Sequence, residues 1–250
     1  MHSKILVTTK NDLSVNYFSS WDVIYLEECT STNIDILGYD IAYLRDPFNN
    51  PSVYTPDEAV IDSILSKANA KYYIDRVNSF ARAKRIEDKY LQYKTYGDLM
   101  PETYLATKKE FVEGEYIIKP RISQRAKNII FTKEELIKKY PKIKNDLIIQ
   151  KRMDIKEELR VYIVRGAVLS VACVKTSKAS GRVKVVGERT LKRNEVEFAL
   201  QCYSKNKKLD FIGLDVAILD DLSLKLIEVN RSPQFARYVE FAHTNPIKLL

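Results

Sequence analysis

Two apolar runs near the C-terminus, Gly213-Leu-Asp-Val-Ala-Ile and Leu226-Ile-Glu-Val-Asn-Arg-Ser-Pro, constrain this chain more than any other feature. Each has the length and residue types of a strand, and Asp220-Asp221 between them marks the turn of a hairpin. Asp215 interrupts an otherwise apolar strand. Glu228 and Asn230 stand two apart on the next, so their side chains point to one face. The hairpin can bring Asp215 onto that face. Two carboxylates and an amide oxygen on one sheet surface suit Mg2+, with water or phosphate completing the shell. The competing reading makes Asp215 a strand-end residue and the other two solvated edge positions. The core-like flanks, Phe211-Ile-Gly-Leu and Leu226-Ile, weigh against it, because a carboxylate in apolar surroundings needs a partner.

Composition narrows the chemistry. A chain of 250 residues makes one large domain or two small ones, and 45% hydrophobic content suffices for a core. The only histidines are His2 and His243, which excludes a His-rich zinc site and disfavours a Ser-His-Asp triad. Cys29, Cys173 and Cys202 are odd in number and widely spaced, forming neither a zinc pattern nor a disulfide framework, as in a reducing compartment. No apolar run approaches the ~20 residues that span a bilayer, and the start lacks a signal-peptide pattern. A soluble cytoplasmic protein with no membrane partner is expected. Lys plus Arg at 41 against Asp plus Glu at 33 leaves +8, which favours anionic partners, from a nucleotide to a nucleic acid. Glycine is scarce, at 7 residues, so any phosphate-cradling loop must be abbreviated.

Along the chain, Lys4–Thr9, Trp21–Leu26 and Ile41–Leu44 alternate with polar helical text, which predicts a small open parallel sheet. Thr55-Pro-Asp-Glu opens a helix running to about Ala70, and Asn78 to Gly97 reads as helical and strongly basic, with Gly97 as the stop. Thr103–Ala106 is a short strand, Tyr116–Lys119 and Ile129–Phe131 a hairpin, and Glu134–Tyr140 a helix. Leu147–Gln150 and Leu159–Val164 are strands, and Arg165-Gly166 turns into a third, Ala167–Val174. Ser177–Lys192 reads as a polar, basic loop and Asn194–Ser204 as a helix. The fold class is therefore α/β followed by α+β. Lys119 closes the strand Tyr116-Ile-Ile-Lys-Pro, where a lysine either reaches phosphate or snorkels to the surface.

The order of these segments resembles the ATP-grasp superfamily, and within it the carboxylate–amine ligases of the RimK and glutathione-synthase type. Asp88-Lys-Tyr-Leu with Met100-Pro-Glu-Thr-Tyr, Tyr116-Ile-Ile-Lys-Pro, Leu147-Ile-Ile-Gln-Lys-Arg-Met, Glu158-Leu-Arg-Val-Tyr-Ile-Val-Arg-Gly and the paired C-terminal motifs occur in the family's order over about residues 80–235. The resemblance implies an ATP-grasp fold: a small open α/β domain (1–85), then two α+β lobes (86–148 and 149–250) that sandwich ATP. It implies that Lys89 and Lys119 hold ATP phosphates, that Gln150, Lys151, Arg152 and Met153 form the hinge beside adenine, and that Glu158 binds the ribose. Arg160 and Lys175 match basic residues near the transferred phosphate. Asp215, Glu228 and Asn230 match the ligands of Mg2+ or Mn2+.

The reaction so implied is C–N bond formation through an acyl phosphate, from a carboxylate-bearing small molecule, peptide or protein and an amine donor. Related ligases often form homo-oligomers. In the basic stretch after Lys175, Arg182 and Arg189 are candidates for gripping a substrate carboxylate, as are Arg231 and Arg45. One departure stands out: the segment after Lys119-Pro, Arg121-Ile-Ser-Gln-Arg-Ala-Lys-Asn, has no glycine where the family's loop is glycine-rich. This keeps open a non-catalytic ATP-binding member, and a phosphotransferase would share the ATP residues. The charge and the basic run Arg76–Lys94 also admit a nucleic-acid binder, but acids are interleaved there and no nucleic-acid-binding signature is present.

Overall fold

The computed structural model describes residues 3–29, 38–45, 57–105, 114–122, 129–132, 134, 147–177 and 183–250. Strands β1 (Lys4–Thr8), β2 (Asp22–Tyr25), β3 (Ile41–Leu44) and β4 (Tyr72–Tyr73) form a parallel sheet in the order β2-β1-β3-β4. The central strand is covered on both faces, so Ile5, Leu6 and Val7 read as an unbroken apolar run. Helix α1 (Glu58–Ala68) covers one face, packing Val60, Ile61, Ile64 and Leu65 on Ile5, Val7, Ala42 and Leu44. Its cap is Asp57, whose carboxylate accepts from the Ala59 and Val60 N–H groups. The other face, with Leu6 and Tyr43, packs against Tyr162, Phe211 and Phe235 from the second half of the chain.

Strands β5 (Thr103–Leu105), β6 (Glu115–Pro120), β7 (Ile129–Thr132) and β8 (Leu147–Lys151) make an antiparallel sheet in the order β5-β8-β6-β7. Three residues, Arg152-Met153-Asp154, link it to a larger antiparallel sheet. That sheet comprises β9 (Ile155–Val164), β10 (Ala167–Val168), β11 (Val171–Ser177), β12 (Val183–Thr190), β13 (Phe211–Leu219) and β14 (Leu224–Asn230). Its order is β12-β11-β9-β13-β14, with β10 hydrogen-bonded to β9.

One expectation changes and another is refined. The basic stretch read as a loop contains β12, which pairs with β11 from Val171↔Thr190 to Ser177↔Val183 around a bulge at Val174/Lys175. It is an outer strand, where charged side chains are tolerated and discourage edge-to-edge association. The helical text expected from Asn78 to Gly97 forms two helices, α2 (Phe80–Glu87) and α3 (Lys89–Tyr96). Asp88, in extended backbone, ends the first and caps the second by accepting from the Tyr90 and Leu91 N–H groups. The helix expected at Glu134–Tyr140 lies outside the described residues apart from Glu134.

Two more helices, α4 (Arg193–Lys205) and α5 (Ala236–Ala242), complete the described elements that position the site. One face of the large sheet, with Leu159, Val161, Leu214, Val216 and Val229, packs against Tyr96 of α3 and Phe198, Ala199 and Cys202 of α4. The opposite face is aromatic at one end, where Tyr162 and Phe211 meet Phe235 and Tyr238, and charged at the other. Among the described residues no helix is long and apolar enough to cross a membrane.

Candidate functional site

Strand register assembles the charged face. Lys175 of β11 lies opposite Glu158 of β9; in the next row Arg160 lies opposite Asp215 of β13, and Asp215 opposite Glu228 of β14; in the next, Gly213 lies opposite Asn230. Opposed residues project to the same side of a sheet, so Lys175, Glu158, Arg160, Asp215, Glu228 and Asn230 share one surface.

The side chains interlock there. The Arg160 guanidinium holds Asp215 bidentately, Nε on Oδ1 and Nη2 on Oδ2 at 2.8 Å. The Lys175 ammonium lies between two carboxylates, 2.9 Å from Asp215 Oδ2 and hydrogen-bonded to Glu158. Asn230 Nδ2 donates to Asp215 Oδ2 at 3.4 Å. Burial opposes the ionised form of Asp215, but the charges of Arg160 and Lys175 outweigh it and hold the carboxyl well below its usual range. Gly213 makes this packing possible. A Cβ there would lie 2.6 Å from Pro233 Cβ and 2.8 Å from Arg160 Cδ, so any side chain would displace the arginine stem.

The second sheet and α3 close on this surface. Lys89, the first residue of α3, lies 3.5 Å from Glu228 Oε1. Lys119, near the end of β6, donates to Gln150 Oε1 at 2.9 Å, and Gln150 Nε2 donates to Thr103 Oγ1 at 3.0 Å. Burial pulls the Lys119 ammonium below the usual lysine range; Glu228 raises it and Lys89 lowers it, which places Lys119 in the field of the same cluster. At the link, the Lys151 N–H donates to Glu102 O at 2.8 Å and the Arg152 N–H to Glu115 O at 2.9 Å. The Arg152 guanidinium is paired with Glu115. Met153 lies between the two sheets, in the link itself.

Lys89, Lys119, Arg160 and Lys175 are thus interleaved with Glu158, Asp215 and Glu228. Four cations beside three carboxylates can hold a polyanion together with a metal ion. Among the described residues no three His, Cys, Asp or Glu side chains group as metal ligands, so the donors for a cation are the carboxylates of Asp215 and Glu228 and the Asn230 amide. All are oxygen donors, which fits Mg2+ or Mn2+ and not zinc. Asn230 turns its nitrogen toward Asp215, and a half-turn of the amide presents its oxygen instead.

The arginines suggested for substrate behave differently. Arg45 is fully buried: Nε lies 2.7 Å from Asp12 Oδ2, Nη2 donates to Pro233 O at 3.1 Å, and the rings of Phe18, Tyr43 and Phe235 surround it. It is an internal strut between the parallel sheet and the segment after Asn230. Arg231 is equally buried, donating to Leu44 O, with Nε 3.5 Å from Glu87 Oε1. Arg189 bridges Glu157 and the buried Glu195, at 2.6 and 2.7 Å, which raises its pKa further. None of the three faces the charged surface as a free clamp. Arg182 lies outside the described residues, as do Ser123, Arg125 and Lys127 of the glycine-free segment.

Sequence reasoning missed Gln92 and Arg121. Arg121 Nη2 lies 2.5 Å from Asp88 Oδ2, and the Lys89 N–H donates to Arg121 O at 2.9 Å, so the start of α3 is fastened to the end of β6. The available signal was Asp88, an N-cap residue in the middle of helical text.

No family model and no curated protein matches this chain. Solved structures do. The chain is similar to the ATP-grasp ligase PsnB complexed with a phosphomimetic variant of its minimal precursor, Mg and ADP (TM-score 0.72, 14% identity, covering 99% of this chain and 96% of that one). It is similar to D-alanine–D-alanine ligase from Bacillus anthracis complexed with ATP (TM-score 0.63, 15% identity, 99% and 95%). It is also similar to the macrocyclase MdnC bound with precursor peptide MdnA from Microcystis aeruginosa MRC (TM-score 0.67, 13% identity, 98% and 97%). The fold is that of the ATP-grasp ligases.

Proposed function

We propose that this chain is an ATP-dependent ligase that joins a carboxylate to an amine through an acyl phosphate, using a divalent cation, Mg2+ or Mn2+. The observation that carries this reading is the cluster itself: Lys89, Lys119, Arg160 and Lys175 meeting Glu158, Asp215 and Glu228 where the two antiparallel sheets face each other. The binding of ATP, and of Mg with ADP, by proteins of this fold supports it. On this reading residues 1–85 precede the grasp, and 86–148 and 149–250 close on the nucleotide.

Each role follows from position. Lys89 and Lys119 hold the nucleotide phosphates, and Glu158 accepts from the ribose hydroxyls. Gln150 fixes Lys119 through its amide. Because the Lys151 and Arg152 N–H groups are already bonded, adenine meets the Lys151 carbonyl and the Met153 backbone. Asp215, Glu228 and Asn230 hold the cation, which, when bound, neutralises charge on the phosphates as a Lewis acid. An oxygen of the substrate carboxylate bonds to the γ-phosphorus as the bond from phosphorus to the ADP oxygen breaks. Arg160 and Lys175 stabilise the charge spread over the transferred group. The amine nitrogen then attacks the acyl carbon, phosphate leaves, and the amine gives up a proton. No protein nucleophile is required, in keeping with the burial of Cys173 and Cys202.

PsnB and MdnC are seen with precursor peptides, which supports a peptide or protein carrying an acidic side chain or terminus as the acceptor here. The unpaired cysteines fit a reducing compartment such as the cytoplasm. The test is to incubate the chain with ATP, Mg2+ and panels of acidic peptides and amines, following ADP, free phosphate and product mass. A condensation product formed with ADP and phosphate supports the ligase. A phosphorylated product without phosphate release replaces it with a phosphotransferase, and absence of nucleotide binding removes both.

A further inference from the structure

Among the described residues, β14 is the last strand of the large sheet, and its outer backbone edge has no strand partner there. At Val229 that edge is buried, and an unpaired buried peptide group is costly. The side chain of Gln92 on α3 supplies the missing partner. Its Oε1 accepts from the Val229 N–H at 3.0 Å, and its Nε2 donates to Val229 O at 2.8 Å and to Ile86 O at 3.0 Å. A primary amide presents the same donor and acceptor as a neighbouring strand would, and both bonds to Val229 are buried.

Val229 is the residue between Glu228 and Asn230. Its own side chain enters the core, and those of its neighbours face the charged cluster. The inner edge of β14 is fixed by β13 through Asp215↔Glu228 and Gly213↔Asn230. The outer edge is fixed at Val229 by Gln92. One turn earlier on α3, Lys89 pairs with Glu228, and Asp88 and Lys89 fasten the helix to Arg121 beside β6.

We infer that Gln92 is a positioning residue for the divalent cation: by pairing with both backbone groups of Val229 it sets the height and spacing of the Glu228 and Asn230 donors. This rests on the nucleotide–cation reading of the site. Groups that orient metal ligands without touching the metal commonly contribute 10–100-fold to affinity.

The experiment is calorimetry with AMPPNP on the full chain, first with EDTA and then by titrating Mn2+ into the nucleotide-saturated protein. Gln92→Leu removes the amide at similar size. Gln92→Asn keeps the amide one methylene short and serves if the leucine variant does not fold. Leu65→Ala, in α1 on the parallel sheet and in a different core from β14, controls for general loosening. The expected result is a Mn2+ affinity about tenfold weaker in Gln92→Leu and intermediate in Gln92→Asn. Nucleotide affinity in EDTA stays unchanged, and Leu65→Ala keeps wild-type Mn2+ affinity at a temperature where it is folded. Mn2+ affinity within twofold of wild type in both Gln92 variants overturns the inference and leaves the nucleotide–cation reading standing. A wild-type chain that binds AMPPNP without any response to Mn2+ overturns the reading itself, and the inference with it.

Discussion

Lys175 Nζ lies 2.9 Å from Asp215 Oδ2, so the cation we propose for phosphate rests on the carboxylate we propose for a metal. The same holds for Lys89 and Glu228 at 3.5 Å. The site is neutralised but for one positive charge, four cations to three carboxylates, and a single ligand disturbs it. A divalent cation alone would displace lysine and arginine from Asp215, and a nucleotide alone would bring its negative charge against three carboxylates. Bound together, they exchange these pairs for new ones. We therefore expect AMPPNP to bind at least about tenfold more tightly with Mg2+ than in EDTA, a difference of about 1.4 kcal/mol. Isothermal calorimetry reads this directly; equal affinities would contradict it.

Asp215 and Glu228 differ in what they do for the fold. Asp215 is buried in a bidentate pair with Arg160, and removing one partner of such a pair leaves an uncompensated charge. Asp215→Ala is expected to cost about 3–5 kcal/mol in urea unfolding. Glu228 is partly exposed and its pair with Lys89 is long, so Glu228→Gln should cost less than about 1 kcal/mol. Both variants should lose the Mg2+ enhancement of nucleotide binding. A Glu228→Gln protein that retains it would remove Glu228 from the cation site.

Arg45 separates a strut from a substrate clamp. Its guanidinium and the Asp12 carboxylate are both sealed from solvent, and Pro233 O takes a third contact. Arg45→Met is expected to lower stability by about 3–5 kcal/mol. Nucleotide affinity and the KM of any acid substrate should stay near wild type at a temperature where the variant is folded. A selective rise in KM with little loss of stability would return Arg45 to the substrate.

Asp75 carries a pH signature. Its Oδ1 accepts from the Asp210 and Phe211 N–H groups, and Asp210 Oδ2 accepts in return from the Asp75 N–H, a reciprocal clasp that starts β13. Burial pushes the Asp75 carboxyl up to about 7 from 3.8, with Arg231 opposing. Between those values the folded chain holds a proton that the unfolded chain has released, so this group's contribution to stability falls as pH rises through that window and is level above it. Asp75→Asn keeps an acceptor for the clasp and suits the left-handed backbone at φ 57°. Relative to wild type it should gain stability between about pH 5 and about pH 7.5. Urea unfolding at both values checks this, and a pH-independent difference would refute it.

What was legible in the sequence was local. Period-two spacing put Glu228 and Asn230 on one face, and apolar flanks marked Asp215 as a carboxylate needing a partner. The structure supplies that partner as Arg160, 55 residues away. The parallel sheet was readable because its central strand is buried on both sides. The edge strand β12 was not, because its exposed position allows the same basic composition as a loop. The salt bridge of Arg45, the alternative to a substrate contact, could not be assigned a partner for a related reason. Its partners lie 33 and 188 residues distant, at Asp12 and Pro233, and no local pattern announces them. Gln92 was invisible because its bonds to Val229 depend on β14 having no outer strand among the described residues.

The three-residue link Arg152-Met153-Asp154 has a consequence for the proposed reaction. Between Lys151 and Ile155 an extended backbone reaches at most about 14 Å, so near the link the two antiparallel sheets can swing but cannot part. Glu158, and with it Lys175, lies only a few residues beyond that anchorage. On the proposed reading, a carboxylate brought to Lys175 would come on something narrow, a single extended stretch of chain or a free metabolite, introduced from the side away from the link.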